Sequence, residues 1–176
     1  PLSDFKKILD EIVPKYGAPQ INLEGSGEPT MAKDLPEYIK AVKDKGLKCF
    51  MYCNGARLNG EFMKKVVDAG IDFIRFSIIG YNKEKYQQWM NINNFELIKK
   101  NIHELVEYIR LSKSKCNVST YHLITDNSEL ENEIELYKKN VINELNVTSY
   151  IWKMHNWSGN SSNPNPRKKS SRKSCG

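Results

Sequence analysis

The sequence predicts an α/β fold built on a parallel sheet. Three observations carry this. Short apolar runs alternate with segments of helical periodicity, glycine, proline or asparagine punctuates the joints, and polar or glycine-rich residues gather just after the apolar runs. Strands joined through helices run parallel with right-handed crossovers, which leaves a barrel, a partial barrel or a doubly wound sheet. In all three the functional edge is the carboxyl end of the strands.

Leu2, Phe5, Ile8, Leu9 and Ile12 recur at helical spacing, with Ser3 as the expected N-cap, and residues 17–20 break this helix. A short buried strand is expected over 20–24. Asp34, with Pro36 and Glu37 behind it, starts the next helix, and Gly46 stops it. Residues 47–53 read as the second strand, a helix over 60–69 ends at Gly70, and 72–78 is the third strand, closed by Gly80. One long amphipathic helix follows, with Phe95, Ile98, Ile102, Leu105, Val106 and Ile109 on one stripe. A strand over 116–124, a helix capped by Ser128 and Glu131, and a strand over 147–153 complete the alternation. After Trp157-Ser158-Gly159 the composition turns to Ser, Asn, Pro and basic residues, a linker signature.

The 176 residues are enough for a sizeable core, with one domain as the default count. No apolar run is long enough to span a bilayer and no secretion signal is present, so no membrane partner is expected. Cys49, Cys53, Cys116 and Cys175 form no disulfide framework, which favours a reducing, cytoplasmic setting. The net charge of +6 comes mostly from the last ten residues, RKKSSRKSCG, which carry five basic side chains and no acid. A basic globular face for nucleic acid is therefore not supported, and the tail reads as a solvated linker.

The stretch Gly25-Ser26-Gly27-Glu28-Pro29 follows the first strand. Its glycines let a ligand approach the main chain, and Glu28 adds a carboxylate, an arrangement suited to a primary ammonium. With no Lys or Arg in the loop, phosphate is disfavoured. The alternative is an ordinary turn whose Glu-Pro opens the next helix.

GSGEP after the first strand, CNG after the second and FSIIG after the third together resemble the S-adenosylmethionine-binding strands of the radical SAM superfamily. Trp157-Ser158-Gly159 and Cys175 are similar to the end of the barrel and the first cluster ligand of members with a SPASM-type extension. The resemblance implies a partial parallel (β/α) barrel of the radical SAM type over 1–159, missing its first strand. A basic linker over 160–176 would lead into a truncated extension.

By the same resemblance, Ser26, Gly27 and Glu28 contact the methionyl end of S-adenosylmethionine, Asn54 shapes the pocket floor, and Ser77 faces the carboxylate or ribose. A [4Fe–4S] cluster would cleave the cofactor reductively to a 5′-deoxyadenosyl radical that abstracts hydrogen from a peptide or small-molecule substrate. Electrons would come from a flavodoxin or ferredoxin, and Cys175 would serve an auxiliary [4Fe–4S] cluster. The family's Cys-x3-Cys-x2-Cys loop has no counterpart here. Cys49 and Cys53 have its first interval, but Ala56 stands where the third ligand would fall, and a strand cannot wrap a cluster. Both cysteines are expected to be packing residues, and the fragment alone is expected to be inactive. Ile79 also departs from the acid common in relatives. The alternative function is a non-catalytic binding module that kept the scaffold and lost the cluster.

Three further groups were open on sequence. His103 reads as a surface residue; His122, alternating with Thr120, is either a satisfied core histidine or a substrate-side residue; His155 sits at a strand end. Tyr81, Tyr86 and Trp89 read as helix packing, with covering of the site as the alternative. An open sheet with an unpaired edge is expected to associate.

Overall fold

The computed structural model describes residues 1–17 and 19–153. In chain order these form α1 (Leu2–Tyr16), β1 (Gln20–Asn22), α2 (Leu35–Asp44), β2 (Lys48–Cys53), α3 (Gly60–Asp68), β3 (Phe73–Ser77), α4 (Lys83–Met90), α5 (Phe95–Ser112), β4 (Asn117–Ile124), α6 (Leu130–Tyr137) and β5 (Thr148–Lys153). The strands make one parallel sheet in the order β1-β2-β3-β4-β5, each paired with the next in sequence.

Among the described residues the sheet is covered on one side. Cys49, Met51, Cys53, Ile74, Phe76 and Ile78 are fully or nearly fully buried, in one cluster with Ile39 and Val42 of α2, Val66 and Val67 of α3, and Ile98, Ile102 and Leu105 of α5. Their strand neighbours Phe50, Tyr52, Phe73, Arg75 and Ser77 point the other way and remain partly exposed. A doubly wound sheet would carry helices on both faces, so the one-sided cover selects the open, partial-barrel arrangement.

Several local expectations shift. Ser3 does not cap α1, which begins at Leu2 and closes at Gly17 with φ 63°. β1 ends at Asn22 rather than 24, although the Leu23 N–H still reaches the Phe50 carbonyl at 2.8 Å. The single long helix expected after Gly80 is two. Asn82 caps α4 by accepting the Lys85 N–H, Asn91 ends it in the left-handed region, and α5 starts afresh at Phe95. Asp126, not the pair Ser128 and Glu131, turns the chain toward α6 by accepting the Ser128 N–H at 2.8 Å. α6 then continues as a π-helical turn, Lys138–Asn143. No helix of the described residues is long and apolar enough to cross a membrane. Trp157-Ser158-Gly159, His155, Cys175 and the linker over 160–176 lie outside the described residues.

Candidate functional site

The carboxyl ends of β1, β2 and β3 bring most of the expected site residues to one edge of the sheet. Glu28, just past β1, is partly buried and holds this edge together. Its Oε1 accepts from the Thr30 N–H at 3.1 Å and the Thr30 hydroxyl at 2.6 Å, while Oε2 accepts from the Asn54 N–H at 2.8 Å. Glu28 thus ties the tip of β1 to the tip of β2. A carboxylate offers about four acceptor positions, so three donors leave one, on Oε2, for a further N–H.

Asn54 spends its own side chain locally, Oδ1 accepting from the Ala56 N–H at 2.9 Å. Gly55 turns with φ 80°, and a Cβ there would stand 2.7 Å from the Phe76 ring. Buried Asn101, on α5, clamps this turn by donating to the Gly55 carbonyl at 2.8 Å and the Ala56 carbonyl at 3.3 Å. Ser77 ends β3 on the concave face, opposite Tyr121. Gly80 then passes so close to α4 that a Cβ would lie 2.4 Å from the Tyr86 backbone nitrogen.

Gly25 and Gly27 behave differently from the sequence expectation. Neither has positive φ, and a Cβ at either would meet nothing within 4 Å. The turn does not require glycine; what the glycines leave is open space along a bare main chain. Among the described residues, the backbone of Gly25, Ser26 and Gly27 makes no hydrogen bond, and Ser26 is exposed. Beside this loop lies a cavity of about 280 Å³ lined by Gly25, Gly27 and Glu28 on one side and by Ala32, Leu35 and Tyr38 on the other. Asn54 and Ser77 are not part of that cavity. The structure therefore joins Glu28 to Asn54 directly and leaves Ser77 on a separate strand tip.

No group of three or more His, Cys, Asp or Glu among the described residues is placed to hold a metal. Cys49, Cys53 and Cys116 are free, buried and turned toward the helices. Burial pushes the Cys49 and Cys116 thiols up to about 12, with the Asp72 charge adding to each. Burial, then the Glu28 charge, raises Cys53 as well. These residues do not fit an iron–sulfur cluster.

His122 is structural. It faces the helix side with Thr120, is fully buried, stacks on Tyr137 at 4.2 Å, and its Nε2 lies 2.9 Å from Glu133 Oε1. With Nε2–H given to that carboxylate, Nδ1 accepts the Gly80 N–H at 3.2 Å. Glu133 also accepts from the Thr125 N–H and hydroxyl and the Asp126 N–H. Burial opposes the ionised form, but these donors prevail and hold the Glu133 carboxyl below its usual range. His103 is exposed, as expected, and Tyr86 is core, its ring 5.6 Å from Phe95.

Sequence reasoning missed Thr30, Asn101 and Arg75. The signals were present: a hydroxyl two residues after Glu28, an asparagine on the apolar stripe of α5, and an arginine inside the apolar strand 72–78.

The chain is 32% identical over 103 residues to a probable GTP 3′,8-cyclase of Methanococcus maripaludis, a match spanning 58% of this chain and 34% of that protein. It is 35% identical over 75 residues to Fe-coproporphyrin III synthase of Methanosarcina barkeri, covering 43% of this chain and 18% of that one. The matches thus span about a third or less of these relatives. Among solved structures, Streptococcus suis SuiB bound to the precursor peptide SuiA superposes with a TM-score of 0.67 at 15% identity, covering 90% of this chain and 34% of SuiB. A domain of pyruvate-formate lyase-activating enzyme from Bacteroides vulgatus superposes with a TM-score of 0.52 at 14% identity, over 76% of this chain and 99% of that domain. At those identities the superpositions speak for the fold. The model of the radical SAM superfamily matches residues 1–137, and with a one-sided parallel sheet and GSGEP at its first strand tip, this chain belongs to that superfamily.

Proposed function

We propose that the chain is the cofactor-binding part of a radical SAM enzyme of the SPASM type, acting on a peptide or protein substrate by hydrogen abstraction. The observation that carries this reading is the unbonded main chain of Gly25–Gly27 beside Glu28, whose carboxylate keeps one acceptor position free. A methionyl ammonium offers several N–H donors and one positive charge, which suits that position and the adjacent carbonyls. Ser26 and Gly27 would supply backbone contacts, Glu28 the charge, Asn54 the fixed floor through its N–H bond to Glu28, and Ser77 a hydroxyl for the carboxylate or ribose.

When bound, S-adenosylmethionine supplies the radical chemistry; this chain's share is to grip and orient it. The family also implies a [4Fe–4S] cluster, for which the described residues hold no ligand set. The domain division at 159, an auxiliary cluster at Cys175 and a flavodoxin or ferredoxin as electron donor belong to the same proposal. Peptide substrates are favoured by the likeness to SuiB, whose structure holds the precursor peptide SuiA.

The test is calorimetric titration with S-adenosylmethionine. Glu28→Ala is expected to weaken binding by about tenfold or more, the scale of a lost charge-assisted hydrogen bond. Unchanged affinity in a variant that melts cooperatively removes the assignment of Glu28.

A further inference from the structure

We propose that Arg75 is a recognition site for a carboxylate on the concave face of the sheet, and, resting on the reading above, that this carboxylate belongs to the substrate. Arg75 sits mid-strand on β3 and points away from the helices, where an apolar residue would be the ordinary choice. Its guanidinium lies 3.7 Å from the Tyr150 ring centroid and 4.9 Å from that of Tyr52, a stacked setting that orients the plane. Nε donates to Ser119 Oγ at 3.3 Å and Nη1 to the Tyr52 hydroxyl at 3.2 Å. Two of five N–H donors are engaged, and both partners are neutral.

Among the described residues the charge itself has no counterpart, since Arg75 makes no ion pair there. Residues 154–176 contain neither Asp nor Glu. The charge is not idle on a solvated surface either: Arg75 is partly buried, and Ser119 beneath it is fully buried. An arginine held by aromatic rings with three N–H donors free is preorganised for a planar, bidentate acceptor. Its neighbours in register and along the strand, Tyr52, Ser119, Phe73 and Ser77, carry no charge. One positive charge among neutral groups balances a carboxylate monoanion; a phosphate, with a charge of about −1.5 to −2, would be left under-neutralised.

The probe is benzoate, with benzamide as its uncharged isostere and inorganic phosphate as the alternative anion, all at one ionic strength. The full chain, labelled with ¹⁵N-arginine, is titrated and the Arg75 Nε–Hε resonance followed. Benzoate is expected to shift it saturably and to bind at least about ten times more tightly than benzamide. Arg75→Gln is expected to abolish the preference, and Arg75→Lys, which keeps charge but loses the planar fork, to weaken benzoate about tenfold. Equal binding of benzoate and benzamide, tighter binding of phosphate, or an unchanged preference in a folded Arg75→Gln variant overturns the proposal. The wild-type titration needs no variant to fold. S-adenosylmethionine is titrated on the same sample: its failure alone sinks the proposed function, and failure of benzoate alone sinks the Arg75 site.

Discussion

Residues 73–77 alternate between two environments. Ile74 and Phe76 are sealed against α3 and α5, while Phe73, Arg75 and Ser77 share with Tyr52, Tyr121 and Tyr150 the sheet face that none of the described helices covers. On the sealed side the His122–Glu133 pair is matched, with His122 spending both ring nitrogens and Glu133 gathering four donors, while Thr120 Oγ1 and the Tyr137 hydroxyl beside them have no partner among the described residues. On the open side an arginine keeps unengaged donors, and past the tip of β1 the 25–27 main chain is bare. A strand of period two packs one set of side chains against the helices and turns the other set away from them. Buried unmet polar groups are costly, and among the described residues the sealed side carries just those two.

The sharpest way to break this contrast is a matched pair of truncations on β3. Phe76→Ala, on the sealed side, is expected to cost about 4 kcal/mol by urea unfolding, and Phe73→Ala, three residues earlier on the open side, about 1–2 kcal/mol. Equal costs would mean that the concave face is packed after all.

Next in size is the buried pair. Glu133→Ala strands His122 and three further donors and is expected to cost about 3 kcal/mol. Because Glu133 is held below its usual range when folded, its contribution is whole above about pH 4.3, where an unfolded glutamate titrates, and is lost as pH falls through the lower folded value. A pH series of unfolding curves should lose that acid limb in Glu133→Gln; an unaltered limb would place the sensitivity elsewhere.

The smallest effect separates two glycines. Gly55→Ala meets both a positive φ and the Phe76 ring and is expected to cost about 2 kcal/mol, whereas Gly27→Ala is expected to leave stability within about 0.5 kcal/mol. If the proposed cofactor contact is correct, Gly27→Ala should still weaken S-adenosylmethionine binding, splitting stability from affinity.

Much of this was legible in the sequence, because apolar periodicity is local. The strands, α2, α3 and the stripe of α5 follow from it, and GSGEP marks the strand tip. What failed was also local but competitive. Ser3 and Ser128 are good caps in isolation, yet the chain entered its helices at Leu2 and through Asp126. The stripe from Phe95 to Ile109 marks α5 alone, and the break before it shows only where Asn91 turns left-handed. Glu28 reads as a ligand group, and its bonds to Thr30 are local, but its bond to Asn54 depends on how β1 and β2 are registered, which no local pattern reports.

The sequence by itself determined the alternation of strands and helices, apart from the break between α4 and α5, and, through its strand-tip motifs, the family, since these depend on neighbours a few residues apart. Alternation also placed Thr120 with His122, and Cys49 with Cys53, on common faces. Which face looks at helices and which at the hollow was decided only by tertiary structure. A period-two strand is symmetric under exchange of its sides, and the tie is broken by helices packing on one of them. That choice made His122 a core residue and left Arg75 facing the hollow.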